Sequence, residues 1–324
     1  MLPLPPFSLL RPRQLSEALG MLAEEPGARA IAGGTDMLPS MKYGIYAPTT
    51  LVSLGGLAEL RVAESRQGGL WLGAGLSLAE VRRNARVREL YPALSDACAT
   101  VATPTLQAMG TLGGNVLLDT RCLYYNQSSF WRESLGGCLK CEVKGPTICH
   151  VAPKGKGCYA AHSADTVPAL TLYGARAELA SSRGTREVPL SELYGEDGRT
   201  YLNKAPDELL TGLWLPPPDG VVVHRKLRRR GAIDYPLLLV AAKLDPEGRG
   251  RVVLSAIGPR PLEVQGLAET LASDGVDAAA ELAWKQAFPL ATHSVPSVWR
   301  KRMVRVEVRR ALEQARALLA PPSP

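Results

Sequence analysis

Ala32-Gly33-Gly34-Thr35-Asp36 follows a short apolar run, Ala28 to Ala32, and precedes a helical pattern that starts at Met37. A brief apolar run ended by glycines reads as a buried strand. Paired glycines let the backbone approach a ligand closely, and their N–H groups, with the helix N-terminus behind them, form an anion-binding concavity. Thr35 adds a hydroxyl donor. The spacing is not G-x-G-x-x-G, which disfavours a Rossmann site. A plain tight turn uses the same residues, so this segment alone leaves turn and phosphate cradle both open.

Working outward, Leu15, Ala18, Leu19 and Leu22 share one helical face, which Pro26-Gly27 ends. A strand at Thr50 to Leu54 completes a small α/β unit. A second region starts near Leu57, with a strand at Leu70 to Leu72, an Arg-rich helix from Leu78 to Leu90 and an apolar helix from Leu94 to Val101. It leads into a second Gly-Gly segment, Thr111-Leu112-Gly113-Gly114-Asn115. Two such loops, each beside Thr and a polar residue, can cradle the two phosphates of one dinucleotide. Pro216-Pro217-Pro218 forbids a central strand and reads as a linker. Strand-like runs follow at Val221 to Val223, Leu237 to Ala242 and Val252 to Ile257. The closing helix, from about Val298 to Leu319, carries Val304, Val308, Ala311, Leu312 and Ala315 on one stripe.

A length of 324 residues suits two or three domains. At 46% hydrophobic and 21% charged residues the chain has globular texture. Its net charge of +7 is spread along the sequence, which fits solubility or an acidic docking partner better than nucleic acid. The longest apolar run, Leu237 to Ala242, is too short to span a membrane. The start, Met1 to Phe7, lacks the basic and apolar regions of a signal peptide. A cytoplasmic location is expected, and in a reducing cytosol clustered cysteines are more often metal ligands than disulfides.

Five of the six cysteines fall between Cys122 and Cys158. Four thiolates hold either zinc or an iron–sulfur cluster. The spacing does not repeat as two CxxC knuckles. A mixed zinc site using His150 or His162 would make this a zinc-stabilised basic binding module. Arg121, Lys140, Lys144, Lys154 and Lys156 can offset thiolate charge, while Tyr124, Tyr125, Phe130 and Trp131 can exclude water and so tune a potential. No catalytic acid, base or nucleophile cluster stands out, as suits a protein whose cofactors carry the chemistry.

The pair A-G-G-T-D and T-L-G-G-N resembles the flavin subunits of the molybdenum hydroxylase family, which includes xanthine dehydrogenase and aerobic carbon monoxide dehydrogenase. That resemblance implies an α+β fold. It comprises a two-domain FAD-binding fold of the PCMH/VAO type, residues 1–56 and 57–215, with an iron–sulfur insert at about 119–162. A C-terminal α/β domain of the CO dehydrogenase flavoprotein type, 216–324, completes it. The implied FAD contacts are Ala32, Gly33, Gly34, Thr35 and Asp36 in the first loop, and Thr111, Gly113, Gly114 and Asn115 in the second. Asp165, with Pro168, fits a later element near the flavin. Lys226 and Asp234 fit the family's lysine–aspartate pattern, although a solvated basic strand edge accounts for them equally.

The cysteine segment resembles one branch, the flavin subunit of 4-hydroxybenzoyl-CoA reductase. The matching strings are Asp119-Thr120-Arg121-Cys122, Tyr125-Asn126-Gln127-Ser128, Cys138-Leu139-Lys140, Cys149-His150-Val151 and Cys158-Tyr159-Ala160. This implies a [4Fe–4S] cluster on Cys122, Cys138, Cys149 and Cys158. Cys141 is then a spectator or a substitute for Cys138, and this chain is a few residues longer between Cys138 and Cys149. Cys98 reads as a small buried hydrophobe on a helix.

By the same resemblance, a ferredoxin-like donor feeds the cluster, then FAD. Electrons continue through [2Fe–2S] clusters in a small partner subunit to the molybdenum cofactor of a large one, in a dimer of heterotrimers. There 4-hydroxybenzoyl-CoA would be reduced to benzoyl-CoA. The alternative is an oxidising hydroxylase acting on another aromatic or N-heterocyclic substrate.

Overall fold

The first apolar runs pair as parallel strands, because each is joined to the next through a crossover that carries a helix. They are β1 (Ser8–Leu10), β2 (Arg29–Ile31) and β3 (Thr50–Ser53), with α1 (Leu15–Glu24) and α2 (Met37–Lys42) between them. The sheet order is β1-β3-β2. Ala18, Leu19 and Leu22 of α1 pack on Val52, Leu57 and Leu60, and the same cluster includes Ala180 and Leu209 of the next sheet. These positions come from a computed structural model, which describes residues 2–141 and 148–320.

The middle region forms a five-stranded antiparallel sheet of β4 (Ala63–Arg66), β5 (Gly69–Gly73), β6 (Arg176–Ser181), β7 (Gly184–Pro189) and β8 (Leu209–Leu215), ordered β4-β5-β8-β6-β7. Between β5 and β6 the chain leaves the sheet, and its described residues there build seven helices. The helical pattern expected from Leu78 to Leu90 is broken in two, α3 (Leu78–Arg83) and α4 (Ala85–Leu90). Asn84 explains the break: its Oδ1 accepts from Arg86 N at 3.0 Å and Val87 N at 3.2 Å, capping the second helix. Asparagine is among the strongest N-caps, and here capping overrides periodicity. α5 (Pro92–Thr100), α6 (Pro104–Met109), α7 (Leu112–Val116), α8 (Ser129–Ser134) and the wholly buried α9 (Val167–Leu172) follow.

Past the three prolines, β9 (Val221–Leu227), β10 (Leu238–Leu244), β11 (Gly250–Ser255) and β12 (Leu262–Glu263) form an antiparallel sheet ordered β12-β11-β10-β9. Every residue of β10 is buried. Ala241 faces the core of the middle region, while Val240 and Ala242 face α10 (Leu267–Ser273), α11 (Gly275–Gln286) and α12 (Ser297–Leu319). A strand covered on both faces reads as a continuous apolar run rather than an alternation. The expected stripe on α12 is the buried one: Val304, Val308, Ala311, Leu312 and Ala315 are all fully enclosed.

The cysteine segment enters and leaves through one point. Arg121 and Ala161 form an isolated antiparallel bridge, with N–H to carbonyl distances of 2.8 and 2.7 Å. Such a bridge lets a long excursion close on itself without disturbing its host. Residues 142–147, including Lys144 and the stretch that lengthens the Cys138–Cys149 spacing, lie outside the described residues. Among the described residues no helix is long and apolar enough to cross a membrane.

Candidate cofactor sites

A cavity of about 390 Å3 runs between the first sheet, the α6–α7 corner and the loop that joins β9 to β10. Eleven of the twelve residues expected to hold a flavin line it: Ala32 to Asp36, Thr111, Gly113, Gly114, Asn115, Asp165 and Asp234. Lys226 is the exception.

The first glycine segment folds into an anion cradle. Among the described residues, the N–H groups of Gly33, Gly34, Thr35 and Asp36 donate to no acceptor within the chain. Gly34 has φ +69°, which turns successive amides toward the same side. Gly33 lies flat against the other loop: a Cβ there would stand 1.8 Å from the Met109 carbonyl oxygen. Unsatisfied amides beside a backbone approach that only glycine allows are what a pyrophosphate requires, so these residues fit FAD.

Thr111 to Asn115 behaves differently from the expected second cradle. Thr111 is an N-cap, and Leu112–Val116 is a short helix. Its amides are already engaged: Leu112 N with Leu76 O at 2.8 Å, Gly113 N with Ala74 O at 2.9 Å, and Gly114 N with Thr111 Oγ1 at 3.0 Å. Like Ser and Asn, threonine caps helices well, and that competes with phosphate for the same N–H groups. Among the described residues, the free backbone donors are therefore concentrated on the first loop. The second supplies a glycine-lined wall, and Asn115 Oδ1 ties it to Thr166 N and Oγ1 at 3.1 and 2.7 Å.

Asp165 reaches the cavity from the turn before α9. Its Oδ1 lies 2.7 Å from Lys226 Nζ, with both side chains almost wholly enclosed. Burial pushes the Asp165 carboxyl up to about 6 against the pull of Lys226, and burial lowers the Lys226 ammonium. Lys226 also donates to Thr100 O at 3.0 Å. It stands behind the cavity wall as the counter-ion of Asp165, which replaces the solvated strand edge weighed above. Asp234 lines the cavity and receives Arg230 N at 2.7 Å.

Residues not expected at the flavin complete the wall: Arg29, Tyr46, Asp119, Tyr201 and Tyr235. The Arg29 guanidinium stacks over the Tyr46 ring at 4.2 Å. Arg121 pairs with Asp36 and lies over the Tyr235 ring at 4.4 Å, joining the cysteine segment to both sides of the cavity. Asp119, at the head of the cysteine string, was the available signal for this wall.

A second, smaller cavity is lined by Cys122, Cys138, Cys149 and Cys158 together, with Tyr124, Tyr125, Lys140 and His150 among them. Cys122, Cys149 and Cys158 are buried, and all six cysteines are free thiols. Burial pushes Cys122 up to about 12 and Cys158 up to about 11. Such thiols ionise only when a cation replaces their protons. Among the described residues, no group of three or more His, Cys, Asp or Glu side chains is set to hold a metal ion. Four thiols lining one space supply the donor set that an iron–sulfur cluster uses.

Cys141 Sγ lies 2.9 Å from Cys138 Sγ, although Cys141 does not line the cavity. The hydrogen bond from Cys141 lowers the Cys138 thiol, to about 6. His150 Nε2 is 2.6 Å from Gly137 O, and its ring stacks on Tyr124 at 5.1 Å. His162 lies apart, fully buried on Tyr194 and 2.9 Å from Ser255 Oγ. Cys98 is enclosed in α5, as expected.

Comparison with known proteins supports the flavin part of this geometry. The family described as FAD binding domain in molybdopterin dehydrogenase matches residues 5–218. The chain is 32% identical over 318 residues to the aldehyde oxidoreductase FAD-binding subunit PaoB of Escherichia coli K12, covering 95% of this chain and 99% of that protein. It is 26% identical to the carbon monoxide dehydrogenase medium chain of Afipia carboxidovorans, covering 96% and 97%. Among solved structures, quinoline 2-oxidoreductase from Pseudomonas putida 86 superposes with a TM-score of 0.78 at 23% identity, covering 98% of this chain and 99% of that one.

Proposed function

Because the chain belongs to the family of FAD-binding subunits in molybdopterin dehydrogenases, we propose that it relays electrons between FAD and a [4Fe–4S] cluster within a larger molybdenum enzyme that oxidises an aldehyde. The observation that carries the relay is the pairing of two cavities: one with free loop amides, the other with four convergent thiols. Cys122, Cys138, Cys149 and Cys158 would hold the cluster, and FAD would lie along Ala32–Asp36, Thr111–Asn115, Asp165 and Asp234. FAD supplies two-electron redox chemistry and the cluster one-electron chemistry. The chain's own groups bind, orient and exclude water.

The aldehyde substrate is suggested by the 32% identical relative, whose name assigns it that reaction. The substrate site would lie in a large molybdenum-binding partner, with [2Fe–2S] clusters in a small one. A cytoplasmic location and the division at 1–56, 57–215 and 216–324 belong to this reading.

The strings around Cys122, Cys138, Cys149 and Cys158 favour a second reading, in which a ferredoxin-like donor drives reduction of 4-hydroxybenzoyl-CoA to benzoyl-CoA. Purification of the whole complex separates the two. Turnover of an aromatic aldehyde with an artificial electron acceptor supports the first. Benzoyl-CoA formed from 4-hydroxybenzoyl-CoA and a strong reductant, without aldehyde turnover, overturns it in favour of the second.

A further inference from the structure

One ion pair joins the lining of the flavin-type cavity to that of the thiol cavity. Lys140 lies between the paired Cys138 and Cys141 and lines the thiol cavity, with its side chain only 5% exposed. Its Nζ is 2.5 Å from Asp119 Oδ1, and Asp119 lines the other cavity. Nζ also donates to Thr120 Oγ1 at 2.6 Å and Gly198 O at 2.7 Å. It lies 4.8 Å from the Tyr125 ring on the thiol side and 5.1 Å from the Tyr201 ring on the flavin side. Tyr46 donates to the second oxygen of the same Asp119 carboxylate.

We propose that Lys140 sets the reduction potential of the cluster, and that Asp119 limits its effect by partial neutralisation from the flavin side. The inference rests on the cluster reading above. An oxidised [4Fe–4S] centre with four thiolates carries net negative charge, and one added electron makes it more negative. A fixed cation beside it stabilises the reduced form and raises the potential, the more so where protein replaces water. Two oppositely charged groups at unequal distances predict opposite effects on removal. Lys140→Met leaves Asp119 uncompensated and lowers the potential. Asp119→Asn leaves Lys140 uncompensated and raises it. A role confined to packing has no reason to produce opposite signs.

The test is a dithionite titration of the whole complex, with the cluster followed by electron paramagnetic resonance and iron measured in each preparation. The expected result is a shift to more negative potential for Lys140→Met, a shift to more positive potential for Asp119→Asn, and the double variant between them. Should Lys140→Met not retain iron, Asp119→Asn decides alone: a rise supports the inference and no movement overturns it. Shifts of the same sign with iron intact also overturn it. A wild-type complex whose iron lies on the partner subunits alone overturns the cluster reading and this inference with it, whereas iron on this chain with unmoved potentials overturns the inference alone.

Discussion

Lys226 Nζ meets Asp165 Oδ1 at 2.7 Å, joining β9 of the C-terminal sheet to a carboxylate in the wall of the flavin-type cavity. The two side chains are 1% and 6% exposed, so neither charge has water as a substitute partner. Lys226→Met should therefore destabilise the protein by about 3–5 kcal/mol, the cost typical of stranding one member of a buried pair. Guanidinium unfolding of the variant measures it. A change below about 1 kcal/mol would contradict this role for the pair, since that is the scale of an exposed ion pair.

Sequence reading found both members of that pair and left Lys226 between the flavin and a solvated strand edge, but it did not see them meet. They are separated by β6, β7 and β8, and only tertiary folding decides whether a lysine faces solvent or a buried acid. The glycine segments show the same limit at short range. Gly33-Gly34 and Gly113-Gly114 look alike, yet Thr111 caps a helix and takes Gly114 N–H for itself. The strands near Thr50, Leu70, Val221, Leu237 and Val252 and the closing helix were legible from apolar periodicity, whereas β6, β7 and β8 were not. The cavity wall at Tyr46, Tyr201 and Tyr235 was not, because isolated aromatics carry no spacing signal.

Gly33→Ala should remove FAD binding. Its Cβ would fall 1.8 Å from the Met109 carbonyl oxygen, so the two loops must separate. Flavin absorbance per protein, measured on the purified complex, should drop severalfold relative to wild type. An unchanged flavin content would show that the contact between the loops is dispensable.

Cysteine variants should separate the two cofactors. Cys149→Ser is expected to lose cluster iron while keeping FAD, because the thiol cavity and the amide cradle are different spaces. Cys138→Ser should lose iron and Cys141→Ser should retain it, since only Cys138 lines the thiol cavity. The reverse pattern would make Cys141 the ligand.

His162 gives a pH dependence of known sign. Burial lowers its pKa from 6.5 to about 3. The unfolded chain therefore binds the proton first as pH falls, and stability from this group, fully present above pH 6.5, is lost down to about pH 3. The loss is about 1.4 kcal/mol per pH unit within that window. Asp165, raised to about 6, works in the opposite direction below that pH, equally in wild type and variant. Unfolding midpoints at pH 6.5 and 5.5 should thus fall less steeply in His162→Gln than in wild type. Identical slopes would mean that His162 is protonated in the folded protein.

The most direct test of the account is iron, acid-labile sulfide and FAD measured together on the purified complex, with this chain separated from its partners to assign each cofactor. The account predicts four irons and four sulfides on this chain for each FAD, lost together in Cys149→Ser. FAD accompanied by zinc, or by no metal on this chain, would contradict it.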